Sequence, residues 1–383
     1  MHFIPFNKPF IAGNELAYIK QSVDSGKISG DGLFTKKCHD FFAKRYGFGN
    51  ALLTTSCTDA LEMAAILVDV KPGDEVIMPS YTFVSSANAF VLRGAKVILA
   101  DSRLDHPGID EDKLEALITP RAKVIVVVHY AGVACNMDKI MALANKHNLI
   151  VVEDAAQCID SFYTGADGVS KPLGSIGHLA AFSFHETKNV ISGEGGMLVV
   201  NDNRFLGRAE IIREKGTNRS QFFRGEIDKY EWVDIGSSYL PTDIVAAFLY
   251  AQLENMDAIQ TRRKAIWHRY MQTLLPLQVQ GKIKLPYIPE YATNNGHIFY
   301  VLCADMDTRT GLIDYMKHNS VYAAFHYVSL HKSQFFMANN TVPNLPECDK
   351  YSDCLLRLPL FYDLTDEEIE RVCDLVMGYY QGV

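Results

Sequence analysis

No apolar run in the sequence approaches the roughly 20 residues that cross a bilayer. Runs such as Val124–Val128 and Leu149–Val152 are strand-sized, so no membrane span is expected. The opening stretch, Met1–Phe10, lacks the basic segment followed by an apolar one that marks a secretory signal, which makes the cytoplasm the expected compartment. The eight cysteines form no CxxC pair and no metal-type spacing, so neither a disulfide framework nor a bound metal is expected. Positive charge is also short, because 37 Lys and Arg stand against 45 Asp and Glu for a formal net charge of -8. Phosphate backbones are held by excess cations. Nucleic acid is therefore not an expected partner, and an anionic substrate needs a local basic cluster. Repeats and low-complexity tracts are missing too.

What is present is a globular composition, 48% hydrophobic and 21% charged. A chain of 383 residues at roughly 100–200 residues per domain predicts two domains in close contact. Ala51–Thr54, Glu75–Met78, Lys96–Ala100, Lys123–Val128 and Leu149–Val152 read as strands. Between them, Thr58–Val68, Phe83–Leu92, Asp110–Ile118 and Met137–His147 carry apolar residues at helical spacing. Strand and helix in alternation predict an α/β fold with a mostly parallel central sheet covered on both faces. A helix over Arg204–Lys215 and a polar, aromatic-studded loop to Trp232 follow, then a long helical stretch over Thr242–Leu275. Ile298–Cys303, Thr310–Asn319 and a final helix over Asp366–Tyr380 make a smaller C-terminal α/β domain. Thr365 and Glu368 have capping-box spacing for that last helix. The division expected is residues 1–250 for the large domain and 251–383 for the small one.

Four segments carry chemistry. Ser183–Asn189 ends an apolar strand and precedes the glycine-rich turn Ser192–Gly196, so Lys188 is placed to point into a cleft; most lysines on turns are simply solvated. Glu153 and Asp154 close a buried strand, and a buried aspartate needs a cation or hydrogen-bond donors, or else caps a helix. Thr54–Thr58 joins a strand to a helix whose free N–H groups and dipole suit an anion, although Thr58 also suits plain capping. Met78–Phe83 offers aromatic faces to a flat ring, or to the core. All four fall at the carboxyl ends of strands of one sheet, where ligands of such folds bind.

These four segments, with Gly30–Gly32, His129–Cys135 and Lys215–Gly225, resemble in order and spacing the DegT/DnrJ/StrS sugar aminotransferases, a family of fold type I pyridoxal 5'-phosphate (PLP) architecture. The resemblance spans nearly the whole chain. It implies Lys188 as the catalytic residue that holds PLP as a Schiff base and then carries the proton. It implies Asp154 on the pyridine nitrogen, Gln157 on the phenolic oxygen, Phe83 against the ring, and Cys57, Thr58 and Ser183 at the phosphate. Cys57 stands where many relatives have glycine, Ser238 where many have an asparagine that reaches the neighbouring subunit's phosphate, and Leu240 where many have arginine. A homodimer with shared active sites is implied.

The resemblance is nearest to the transaminases that move the amino group of L-glutamate to C4 of dTDP-4-keto-6-deoxy-D-glucose, giving dTDP-4-amino-4,6-dideoxy-D-galactose for surface polysaccharide. A 3-aminotransferase or a UDP-keto-sugar aminotransferase of the same family is the alternative. Arg219 and Arg224 are the candidate pyrophosphate anchors, though neighbouring acids suit a solvated loop as well. His326, Tyr327 and His331 are candidate sugar contacts. Related dehydratases carry His where Lys188 stands. A binding protein without turnover would not need Lys188, Asp154 and Gln157 together.

Overall fold

The computed structural model describes residues 2–382. Two helices, α1 (Glu15–Asp24) and α2 (Leu33–Tyr46), precede the alternating run β1 (Ala51–Thr54), α3 (Cys57–Leu67), β2 (Glu75–Pro79), α4 (Val84–Val91), β3 (Lys96–Ala100), β4 (Ala122–Val128), α5 (Met137–His147) and β5 (Ile150–Asp154). A short hairpin of β6 (Phe162–Thr164) and β7 (Ser170–Pro172) leads to β8 (Leu179–Ser183) and β9 (Gly196–Val200). Seven strands form one sheet in the order β1-β9-β8-β5-β4-β2-β3. Neighbours are parallel except at β9, which is antiparallel to β1 and β8. The apolar run in β4 has no polar alternation because both its faces are covered. Val124, Val126 and Val128 enter one core, and Ile125 and Val127 enter the other.

Beyond the sheet come α6 (Leu206–Arg213), α7 (Arg219–Phe223), α8 (Asp243–Glu254), α9 (Met256–Val279), β10 (Phe299–Leu302), α10 (Met306–His318), α11 (Gln334–Asn339), α12 (Pro346–Cys354), β11 (Leu355–Leu358) and α13 (Asp366–Gln381). Strands β10 and β11 pair antiparallel beside a third core, which includes Ile266, Tyr270, Phe299, Leu312 and Val372. The capping box expected ahead of α13 is present: Thr365 Oγ1 accepts from the Glu368 amide at 3.2 Å, and Glu368 Oε2 accepts from the Thr365 amide at 2.9 Å.

Two expectations differ from the structure. Asp110–Ile118 forms two single 3₁₀ turns, Glu111–Lys113 and Glu115–Leu117, in place of a helix. Pro120 holds Thr119 away from helical geometry, and the Arg103–Glu111 ion pair at 2.9 Å pins the start of the segment. The single stretch over Thr242–Leu275 is two helices that break at Asn255, whose Nδ2 donates to the Ala251 carbonyl at 2.9 Å and competes with the helical ladder. Residue 250, where the expected division lies, is within α8, which packs on α1 and α2.

The Gly30–Gly32 turn seats α8 on these helices. A side chain at Gly32 would strike the Asp243 carboxylate, and one at Gly30 would strike Leu240 and Pro241. Asp243 is fully buried and accepts from Ser22 Oγ, the Phe34 amide and both the amide and hydroxyl of Thr35. It therefore supplies the start of α2 with the capping acceptor that Gly32 lacks.

Candidate active site

Strands β1, β4, β5 and β8 end on the same sheet edge, beside a cavity of about 510 Å³. Strand alternation sends Glu153 and Asp154 to opposite sides. Asp154 lines the cavity, where its Oδ2 accepts from Ser86 Oγ at 2.6 Å and its Oδ1 from the Ala156 amide at 3.2 Å. Burial raises its pKa, and Ser86, the Ala156 amide and Lys188 offset this only in part. The carboxylate is therefore short of positive charge.

Glu153 is satisfied elsewhere. It accepts amide hydrogens from Gly174, Ile176 and Gly177 at 2.5–2.8 Å and lies 3.0 Å from His129 Nε2. The Cys135 amide donates to His129 Nδ1, so Nε2 is the nitrogen that donates to Glu153. Burial alone would raise the Glu153 pKa, but His129 and the amide donors hold it below the ordinary range. A depressed carboxyl pKa adds stability above the unfolded-state value of about 4.3, and that stability is lost as pH falls toward the folded-state value. Replacing Glu153 with Gln is expected to cost about 3 kcal/mol at neutral pH, and the gap to wild type should shrink as pH falls below the ordinary carboxyl range. Urea unfolding of both proteins at neutral and acid pH checks this; a gap that does not change with pH would refute it.

Lys188 sits on a turn held against β9. The amides of Phe184 and Glu186 donate to the carbonyls of Gly195 and Gly193, and the Lys188 amide donates to the His185 carbonyl at 2.9 Å. Gly196, paired with Thr54 in the sheet, lies so close to the Ser56 and Cys57 backbone that no side chain fits there. The next residue, Asn189, is buried and bonded to Gln260 Oε1, the Asn295 carbonyl and His297 Nδ1 at 2.7–2.9 Å. Burial lowers the Lys188 pKa, while Cys57 and Asp154 oppose the shift.

At another part of the cavity wall lies the start of α3, with Ser56, Cys57 and Thr58. Ser56 Oγ already accepts from the Asp59 amide at 3.0 Å, and Thr58 Oγ1 meets Ser85 Oγ at 2.8 Å. Burial raises the Cys57 pKa well above its usual value, which keeps the thiol neutral. Gln157 is fixed by its Oε1, which accepts from the Ala131 amide at 2.6 Å, so that Nε2 donates to Tyr327 Oη at 3.1 Å. Tyr327 stacks on His326 with ring centroids 3.6 Å apart, and His326 Nδ1 meets Tyr130 Oη at 2.7 Å. Phe83 and Ser183 complete the wall.

Nine of the thirteen residues expected at a site thus share one cavity: Cys57, Thr58, Phe83, Asp154, Gln157, Ser183, Lys188, His326 and Tyr327. The other four lie elsewhere in the chain. His331 is buried, with Nδ1 on Ser80 Oγ at 2.8 Å and Nε2 on Asp349 at 3.0 Å, so both ring nitrogens are already engaged. Arg219 and Arg224 line a separate cavity of about 520 Å³ with Lys27, Lys36 and Arg213. Arg224 is bracketed by Glu210 and Glu226, whereas Arg219 makes one looser pair with Glu214 at 3.5 Å. Ser238 lines neither cavity and is exposed. Sequence reasoning missed Ser86, His129, His297 and Arg357. The lone cation in the apolar run Leu355–Leu358 was the one available signal.

Comparison with known proteins identifies this geometry. The model of the DegT/DnrJ/EryC1/StrS aminotransferase family matches residues 9–377. The chain belongs to that family. It is 32% identical, over 100% of its own length and 98% of the relative's, to the spore coat polysaccharide biosynthesis protein SpsC of Bacillus subtilis. Among solved structures, the aminotransferase TlmJ of Streptoalloteichus hindustanus superposes with a TM-score of 0.90 at 27% identity over 100% of both chains. The putative sugar aminotransferase Spr1654 of Streptococcus pneumoniae in its PMP form gives 0.90 at 25% identity over 100% of this chain and 98% of that one; its PLP form gives 0.89. The chain is an aminotransferase of this family, and its cofactor is PLP. The residues present fit that group: a carboxylate short of positive charge, a half-buried amine whose pKa burial lowers, and a helix start lie on one cavity.

Proposed function

We propose that this aminotransferase moves the amino group of L-glutamate to C4 of dTDP-4-keto-6-deoxy-D-glucose, yielding dTDP-4-amino-4,6-dideoxy-D-galactose for a surface polysaccharide, as a homodimer in the cytoplasm. The observation that carries the reaction class is the half-buried Lys188, which lines the same cavity as Asp154 and Gln157. PLP supplies the electron sink when bound. Lys188 Nζ holds it and afterwards carries a proton to and from the substrate carbon, a task suited to an amine whose pKa burial lowers. Asp154 would keep the ring nitrogen protonated, Gln157 would donate to the ring oxygen, Phe83 would lie against the ring, and Cys57, Thr58 and Ser183 would hold the phosphate.

The keto-sugar reading is supported by the name of Spr1654, a putative sugar aminotransferase, and by the polysaccharide role in the name of SpsC. In the dimer we infer, Ser238 and the Arg219 cavity of one subunit complete the Lys188 cavity of the other, which accounts for their distance from Lys188 within one chain. Arg219, the less committed of the two arginines, is the main anchor for the pyrophosphate. Arg219→Ala is expected to raise KM for the sugar nucleotide about 10- to 100-fold and to leave the glutamate half-reaction intact. Product NMR after incubating the enzyme with glutamate and a panel of dTDP- and UDP-linked 3-keto and 4-keto sugars tests the acceptor. A 3-amino product, or a wide preference for a UDP ketone, overturns this substrate.

A further inference from the structure

A second, smaller cavity of about 180 Å³ opens behind Lys188, and the buried His297 lies on its wall. His297 is held at three points. Its amide donates to Asn295 Oδ1 at 3.0 Å, its carbonyl accepts from Arg263 Nη2 at 2.9 Å, and its ring Nδ1 lies 2.7 Å from Asn189 Oδ1. Arg263 is itself buried and also donates to the Gly296 and Leu360 carbonyls, which fixes the segment further.

These bonds decide which ring nitrogen carries the hydrogen. The Asn295 carbonyl can only accept, so the Asn189 atom facing it is Nδ2, which also donates to Gln260 Oε1. The Oδ1 that remains can only accept, so His297 Nδ1 is the donor to it. Burial, with Lys188, Arg263 and Arg357 as the nearby cations, holds the His297 pKa well below its ordinary value, so the ring is neutral. Its Nε2 therefore keeps a lone pair, and it makes no hydrogen bond among the described residues. Other acceptors on the same wall are committed: Gln157 Oε1 accepts from the Ala131 amide, and His326 Nδ1 meets Tyr130 Oη. No carboxylate lines this cavity. A carboxylate there would hold the lysine by raising its pKa, whereas a neutral imidazole offers direction without that charge.

We propose that His297 is a positioning residue for Lys188: its Nε2 accepts a hydrogen bond from Nζ and holds the amine on the small-cavity side whenever the amine is not joined to the cofactor. The inference rests on the reading of Lys188 as the cofactor-bearing residue and deepens it. A lysine freed from its partner has many rotamers to explore. One fixed acceptor keeps the amine close to where the proton must be delivered, which is rate enhancement by positioning.

His297→Asn can keep the contact with Asn189 through its shorter amide while losing the far acceptor. Its kcat is expected to fall about 10- to 100-fold in both half-reactions, with KM for glutamate and for the sugar nucleotide little changed. In His297→Gln the amide oxygen can reach the place of Nε2, and part of the rate should return. A readout independent of turnover is ¹⁵N NMR of histidine-labelled enzyme loaded with PMP, in which the Lys188 amine is free. The His297 Nε2 signal, assigned by its absence from His297→Gln, should be that of an unprotonated acceptor, and it should move downfield in Lys188→Ala as the hydrogen bond is lost. A protonated Nε2, a signal that Lys188→Ala leaves in place, or His297→Asn rates within a few-fold of wild type overturns the proposal. If His297→Asn does not fold, the NMR comparison of wild type with Lys188→Ala decides by itself. Borohydride labelling of a different lysine would instead remove the reading on which the inference rests, and the same NMR comparison would still decide the contact.

Discussion

Lys188→Ala is expected to lower transamination by about 10⁴-fold or more, since it removes both the covalent hold on the cofactor and the proton carrier. Stopped-flow measurement of the glutamate half-reaction reads this loss, and circular dichroism should show an unchanged fold, because the Lys188 side chain supports no strand or helix. Borohydride treatment of the wild type, followed by peptide mapping, should find the cofactor fixed on Lys188. Finding it on another lysine would sink the assignment and leave the family membership standing.

Asp154→Asn is the second large effect. Its carboxylate has two neutral donors, Ser86 and the Ala156 amide, and a buried site that disfavours its charge. A protonated ring nitrogen answers that shortage, so the amide should cost about 10²- to 10³-fold in rate, the range for breaking one side of a buried charge pair. The loss should fall on both half-reactions alike, which separates it from Arg219→Ala. A rate within a few-fold of wild type would show that the ring nitrogen has no need of this carboxylate.

Much of the α/β scaffold was legible because each strand is a short apolar run bounded by turn residues, and because the chemistry-bearing residues follow strands β1, β2, β5 and β8 directly. Asp154 and Lys188 are local signals of this kind. The residues that were not legible depend on contacts distant in sequence. His297 and Asn295 reach the Lys188 turn through Asn189, more than a hundred residues earlier, and His297 also lines a cavity with Lys188. Arg357 reads as an interruption in an apolar strand until β11 is seen with one face against each core. The resemblance places His331 at the sugar, in a His-Tyr-x-x-Leu-His run with His326 and Tyr327, whereas within this chain the 3₁₀ turn at Leu330–Lys332 directs its ring to Ser80 and Asp349. The helix expected over Asp110–Ile118 failed on a different ground, since apolar spacing ignores what Pro120 does to the residue before it.

The small sheet is a wall with a core on each side: Tyr300, Leu302 and Leu355 enter the core beside the large sheet, while Phe299, Val301, Leu356 and Leu358 enter that of the C-terminal part. Neither core closes without the same two strands. The two cores should therefore unfold together, which coincident transitions followed by different probes would show. The same sharing anchors the strand that carries the Arg357 side of the Lys188 cavity in both cores at once.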